Sequence, residues 1–407
     1  MLSKIHFLFA LMLMFLYPIG YFESAYAEPT FKDPNLKAEL VVEGLSSPTS
    51  MAFLNRNSIL VLEKNSGEVR LILNGILQEE PVIKLDVDTT TLTCCRGLLG
   101  IATIGQGEVF LYFSDAAQDD QPVINRLYKY QWDGQSLVNP ELILELPATP
   151  GPNHPGGKIA IGLDHYLYTV IGDLNNEGQL QNFEDGAEPN DSSVIVKINP
   201  NNGSAAKDNP FASQSNEKMN KYYAYGIRNS FGLAIDPITG ALWEAENGDE
   251  DYDEINLVKP GFNSGWKKLM GPISESEFTQ EDLVKFPGSH YSDPVFSWNP
   301  SLGITDIEFL SSTKLGSKYT NNIFVGDITN GNLYFFELNQ NRTGLVFANP
   351  GLQNDLVADD EEQLDDITLA TGFSGITDIE TGLDGLLYVL TFDQELNGEG
   401  KIYRIIA

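Results

Sequence analysis

The stretch "KIAIGLDHYLYTVIGD" (158–173) decides how the fold is read. Apolar residues alternate with others on both sides of a turn at Asp164 and His165, the pattern of two antiparallel strands joined tightly. The same phrase recurs: an apolar stretch, a turn bearing Asp, Asn or Gly, then an aromatic-rich strand. It occurs at 51–73, 97–115, 158–173, 232–249, 303–338 and 375–391, six times in all. No helical period is sustained over a long segment, which disfavours α/β folds. Repeated sheets set radially build a β-propeller, whose insertions gather at one end as binding loops. The sequence is therefore read as all-β, a six-bladed β-propeller with long loops on one face. The early strand "AELVVEGL" (38–45) and the last one, "GKIYRIIA" (400–407), are expected to share a blade and close the ring. Closure removes the exposed sheet edges without any crosslink.

Upstream of the repeats, the chain opens with Lys4, an apolar run from Phe7 to about Tyr21, and Ala25-Tyr26-Ala27 before Glu28. This is the anatomy of a secretory signal peptide over residues 1–27, ending in a small-residue cleavage site. The alternative is an uncleaved membrane anchor, because the run is only slightly short of the roughly 20 residues that span a bilayer. Either way residues 28–407 are exported, and no long flexible linker divides them, so they are read as a single propeller domain.

With 57 acidic against 25 basic residues, the formal charge is −32. Nucleic acid and anionic membrane surfaces would repel such a chain, so neither is an expected partner. The acid excess is read as a solvated surface, with calcium-binding loops as a compatible second use. The only two cysteines, Cys94 and Cys95, are adjacent and cannot tie distant strands together. They form either a vicinal ring or a pair of thiols.

Four segments carry residue types suited to chemistry. In "GPNHPGGK" (151–158), two prolines and two glycines exclude a helix and make a stiff loop around His154. Asp173 ends the strand pair that follows. A carboxylate beside an imidazole orients it and raises its basicity, as a general base requires; unrelated loop residues are the alternative. In "YAYGIRNSFGLAIDP" (223–237), Arg228 offers a planar fork for a carboxylate or quinone oxygen and Asn229 a neutral donor. Pairing of Arg228 with a neighbouring acid is the alternative. In "AENGDEDYDEINLVKPGFNSGW" (245–266), Asp249, Glu250, Asp251, Asp253 and Glu254 crowd what is read as one loop. Like charge so dense calls for a cation or remains solvated, and the order of residues is not that of an EF-hand.

In this order the segments resemble the soluble pyrroloquinoline-quinone (PQQ) sugar dehydrogenases, the glucose/sorbosone dehydrogenase family of six-bladed propellers. The landmarks are "RGLLGIA", "NHPGGKIAIGLDHYLYTVIGD", "YGIRNSFGLAIDPITGALWEAENG", "DEINLVKPGFNSGW" and the closing "LDGLLYVLT" and "GKIYRI". The resemblance implies that His154 takes the sugar C1 hydroxyl proton while hydride passes to PQQ, and that Asp173 supports the imidazole. It further implies that Arg228 and Asn229 contact the quinone oxygens, and that carbonyls of Gly248 and Asp249 hold a calcium ion. A sugar substrate and an external electron acceptor are the implied partners.

The chain departs from the family where cofactor carboxylates are held. Thr329 stands where the family has a lysine in the fifth blade, and Gly375 and Thr377 stand where it has an Arg-x-Arg pair. These threonines are the expected cofactor-binding positions, without their charges. Cys95 replaces a glutamine found in some relatives, which puts the cysteine pair at the mouth of the central site. Two other functions fit parts of the pattern. A propeller that has lost PQQ and recognises a glycan or protein accounts for the missing cations, and a metal-dependent lactone hydrolase would use the acidic loop.

Overall fold

The computed structural model describes residues 28–89, 95–116, 122–393 and 398–407. The expected signal segment and Cys94 lie outside the described residues. The protein is all-β in architecture, with two short helices at Pro350–Asp355 and Glu361–Ile367. Among the described residues the strands make six sheets. Each begins with an inner strand: β1 (Pro48–Asn55), β2 (Leu98–Ile104), β3 (Ile159–Ile161), β4 (Ser230–Ile235), β5 (Ile304–Phe309) and β6 (Gly375–Thr381). Consecutive inner strands pack side by side, and β6 returns to β1, the arrangement of a β-propeller. All six recurrences of the sequence phrase fall on the first strands of a sheet.

Apolar side chains from neighbouring sheets fill the space between them. Leu60 and Leu62 meet Leu98 and Leu111; Phe110 and Leu127 meet Leu167 and Val194. Val170 and Ile195 meet Leu233 and Leu242, and Trp243 and Ile255 meet Ile307 and Tyr334. Phe324 and Leu333 meet Ile376 and Val389. The sixth cluster joins Leu390 and Ile402 to Met51 and Val61, so the last sheet packs against the first. Burial of such side chains contributes roughly 1.5–3 kcal/mol apiece, set against the entropy of ordering the chain. Closure follows the expected route: Lys37–Ser46 pairs antiparallel with Glu399–Ile406, from Lys37 opposite Ile406 to Ser46 opposite Glu399.

Two inner strands carry the identical hexapeptide "GITDIE", at 303–308 and 375–380. Period-two alternation places the Asp and Glu of each copy on one side of its strand. Between the copies sits Lys158, whose Nζ lies 2.9 Å from Asp306 Oδ2, 2.5 Å from Asp378 Oδ1 and 3.6 Å from Glu380 Oε1. Burial opposes the charge of Lys158, but the surrounding carboxylates raise its pKa well above the usual lysine value. Burial likewise drives Asp306 and Glu380 upward and pushes Glu308 up to about 7.

A carboxyl group whose folded pKa exceeds its unfolded value binds more protons in the native state. Its contribution is complete below the unfolded pKa, about 4.3 for glutamate, and is lost as pH rises through the folded value. For Glu308 that window closes near pH 7. Melting by calorimetry at constant ionic strength is therefore expected to fall by a few degrees between pH 5 and pH 8. Glu308→Gln should shrink the fall; an unchanged pH slope in that variant would remove Glu308 as a cause.

Candidate active site

The loop before β3 holds His154 with φ 59°, in the left-handed region. A side chain there costs about 1–2 kcal/mol, so surrounding contacts must fix it. They do: Gly151 N donates to Leu174 O at 2.7 Å and Gly157 N to Val170 O at 2.9 Å. Tyr112 Oη donates to Pro155 O at 2.9 Å. At Gly157 a Cβ would stand 2.8 Å from Leu99 Cβ and 2.9 Å from Tyr112 Cδ1, so no other residue fits without displacing the core. These bonds tie the loop to its surroundings on both sides of His154.

His154 Nδ1 lies 2.6 Å from Asp173 Oδ1, and both side chains are largely covered. The other carboxylate oxygen, Oδ2, accepts from Trp266 Nε1 at 2.7 Å, and Oδ1 also accepts from Asn175 N at 2.8 Å. Because an ionised carboxylate only accepts, Nδ1 carries the proton and Nε2 is left as the basic nitrogen. The 19-residue separation of His154 and Asp173 in sequence becomes direct contact.

Asp173 N donates to Arg228 O at 2.9 Å, which brings the third segment alongside the first two. The Arg228 guanidinium is partly engaged: Nη2 donates to Asp249 Oδ1 at 2.7 Å and Nη1 to Asn247 O at 3.2 Å. Its Cζ lies 5.2 Å from the Trp266 ring centroid. Arg228 Nε and Asn229 Oδ1 are buried and have no hydrogen-bond partner among the described residues. Both unfilled groups belong to residues expected to contact a ligand.

The acidic segment divides into two parts rather than forming one loop. Asp249, Glu250 and Asp251 are exposed, whereas Asp253 and Glu254 open the buried strand Asp253–Val258. Asp253 is fully buried because its carboxylate accepts from Gly248 N, Ser301 Oγ and the amides of Leu302 and Gly303. Glu246 Oε1 accepts from Arg228 N at 2.6 Å and Oε2 from Ser264 Oγ at 2.5 Å. Burial still pushes Glu246 up to about 7, and it drives Glu244 and Glu254 well upward. The carbonyls of Gly248 and Asp249 accept no hydrogen bond among the described residues, which leaves them available to a hard cation.

A cavity of about 330 Å³ opens among the inner strands, and His154, Asp173, Arg228 and Asn229 are not on its lining. Leu99, Phe231, Ile328 and Phe392 give it apolar walls, and Lys64, Lys158 and Thr377 give it polar ones. Gly156 and Phe231 on the wall are each two residues from His154 and Asn229 in the chain. Cys95 also lines it; this residue is disulfide-bonded, and the chain's only other cysteine is Cys94. Thr377 lines the cavity, whereas Thr329 is exposed and its neighbour Ile328 lines the wall.

Sequence reasoning missed Trp266, Lys64 and Lys158. Trp266 was visible only as the end of "FNSGW", and its link to Asp173 crosses 93 positions. Lys158 closes the very octapeptide that holds His154, and the repeated "GITDIE" was the signal for its partners.

The glucose/sorbosone dehydrogenase family model matches residues 45–404. The aldose sugar dehydrogenase YliI of Escherichia coli is 26% identical over 370 residues, 89% of this chain and 91% of that protein. The quinoprotein glucose dehydrogenase B of Acinetobacter calcoaceticus is 26% identical over 273 residues, 61% of this chain and 55% of its own. The PQQ-bound aldose sugar dehydrogenase of Streptomyces coelicolor shares the fold, with a TM-score of 0.66 at 22% identity over 91% of this chain and 98% of that one. With its match running through nearly all of the propeller, the chain belongs to the glucose/sorbosone dehydrogenase family.

Proposed function

We propose that this protein is an exported quinoprotein that oxidises the C1 hydroxyl of an aldose-type sugar, using PQQ and calcium, with His154 as general base. In this reading each of the six sheets is one blade of a single body over residues 28–407, and residues 1–27 direct export. An external acceptor takes the electrons. The observation that carries the proposal is the 2.6 Å contact between His154 and an Asp173 whose second oxygen is held by Trp266.

The residues fit the quinone in two respects. Apolar walls at Leu99, Phe231, Ile328 and Phe392 suit a planar ring system. The unpartnered Arg228 Nε and Asn229 Oδ1 suit polar groups at its edge. When bound, PQQ supplies the two-electron acceptor for the sugar's hydride. The chain supplies the proton chemistry. His154 Nε2 accepts the C1 hydroxyl proton, and the resulting imidazolium is stabilised by the Asp173 carboxylate. Arg228 and Asn229 would orient the cofactor, Thr377 would donate to its rim, and the carbonyls of Gly248 and Asp249 would hold calcium.

The absence of cations at Thr329, Gly375 and Thr377 favours a second reading, a propeller that has lost the quinone and binds a glycan or protein. Reconstitution decides between them. Protein mixed with calcium and micromolar PQQ is expected to acquire the bound-quinone spectrum and to reduce a dye with a panel of aldoses. No spectral change would end the dehydrogenase reading.

A further inference from the structure

Two lysines line the central cavity, and they are in opposite situations. Lys158 is enclosed by Asp306, Asp378 and Glu380 and has no charge to spare. Lys64 has no carboxylate within ion-pair distance among the described residues; its Nζ contacts only Arg96 O, at 3.5 Å. Nearby cations are already matched, Arg96 to Asp88 at 2.8 Å and Arg228 to Asp249 at 2.7 Å. Among the described residues Lys268 is likewise half-buried without an acid in ion-pair range, but of the two only Lys64 lines the cavity.

Its position is fixed from the backbone outward. Lys64 N donates to Ser47 O at 3.0 Å, and Lys64 O accepts from Leu98 N at 3.1 Å, so the residue is tied between the inner strands β1 and β2. At Gly97, whose φ is 136°, a Cβ would come 2.7 Å from Lys64 Cγ; the missing side chain leaves room for the lysine stem. Partial burial pushes the ammonium below the usual lysine value, the sign of a charge without compensation. Leu99, Phe231, Ile328 and Phe392 line the same cavity, as do Thr377 and Asp378, whose carboxylate is already paired with Lys158.

We propose that Lys64 is the cation that pairs with a carboxylate of the planar aromatic acid bound in this cavity. The inference rests on the proposed quinoprotein function, in which that acid is PQQ, and gives the cavity a positive group where Thr329, Gly375 and Thr377 provide none. An ammonium half removed from water binds a carboxylate more strongly than it would at the surface, and an acid in the cavity would restore its full charge.

The test is equilibrium binding followed by ligand absorbance and tryptophan fluorescence, without turnover. Two probes are used, PQQ with calcium and the quinone-free planar acid pyridine-2,6-dicarboxylate. Lys64→Met should weaken both by roughly ten- to a hundredfold, the range for a lost charged hydrogen bond. Lys64→Arg should stay within about threefold of the parent. Circular dichroism and melting of each variant exclude a folding defect, and Lys64→Gln serves if the methionine variant does not fold. If the parent binds PQQ and Lys64→Met binds it equally well, the assignment of Lys64 is overturned while the quinoprotein reading stands. If the parent binds only the dicarboxylate, and does so through Lys64, the anion site is upheld and the quinone is excluded. Binding of neither probe by the folded parent overturns both.

Discussion

Replacing His154 with alanine is expected to lower aldose-dependent dye reduction by about 10²- to 10⁴-fold, the usual contribution of a positioned general base. PQQ affinity should change by no more than about threefold, because the imidazole acts on the sugar hydroxyl and not on the cofactor. The structure gives the reason for the size of the effect. His154 is held in a left-handed backbone conformation, and its Nδ1 is committed to Asp173. Nothing else at that point of the loop can present a basic nitrogen. Steady-state rates with saturating cofactor, alongside a quinone titration, separate the two quantities. Equal loss of turnover and cofactor binding would reassign His154 to maintaining the loop. Asp173→Asn should also be slow, since the amide can present its NH₂ to Nδ1 and so favour the wrong tautomer.

Lys158→Met is expected to cost about 3–5 kcal/mol of stability, the range for removing one partner of a buried ion pair. The loss comes from Asp306 and Asp378, fully covered carboxyls that would remain with no positive charge between them. Combining Lys158→Met with Asp306→Asn and Asp378→Asn should recover part of it, because the buried like charges are then gone. Urea unfolding of the parent, the single variant and the triple variant measures both effects. A loss below 1 kcal/mol in the single variant would mean that the carboxyls are already protonated in the parent. That outcome would also predict a stability that falls with pH above the unfolded carboxyl values, by about 1.4 kcal/mol per pH unit for each proton held only in the native state.

Much of this architecture was legible because period-two alternation is a local signal. Each recurrence of the blade phrase could be recognised without knowing its neighbours, and the His154 loop was marked by Pro152, Pro155 and the glycines after it. Pairing between His154 and Asp173 was also within reach, since both flank one strand pair. What sequence did not disclose were contacts made between sheets. Trp266 meets Asp173 from an insertion 93 positions away, and Lys158 meets Asp306 and Asp378 from 148 and 220 positions away. No spacing rule reaches so far. The acidic segment was misread because Asp253 and Glu254 look like their exposed neighbours until the amides and hydroxyls that receive Asp253 are seen.

The pairing of Lys37–Ser46 with Glu399–Ile406 also sets an order of events in time. Arg404 bonds Glu39 across 365 positions, so a strand made early waits for the last one. Until then the final sheet lacks its outer strand, and the cluster joining it to the first sheet cannot complete. Partners so distant in sequence make for slow folding, because a large loop must close before its contacts reward closure. Under the export proposed above, with the amino end crossing first, such a delay has a use: it keeps the chain transportable until the closing strand has been made.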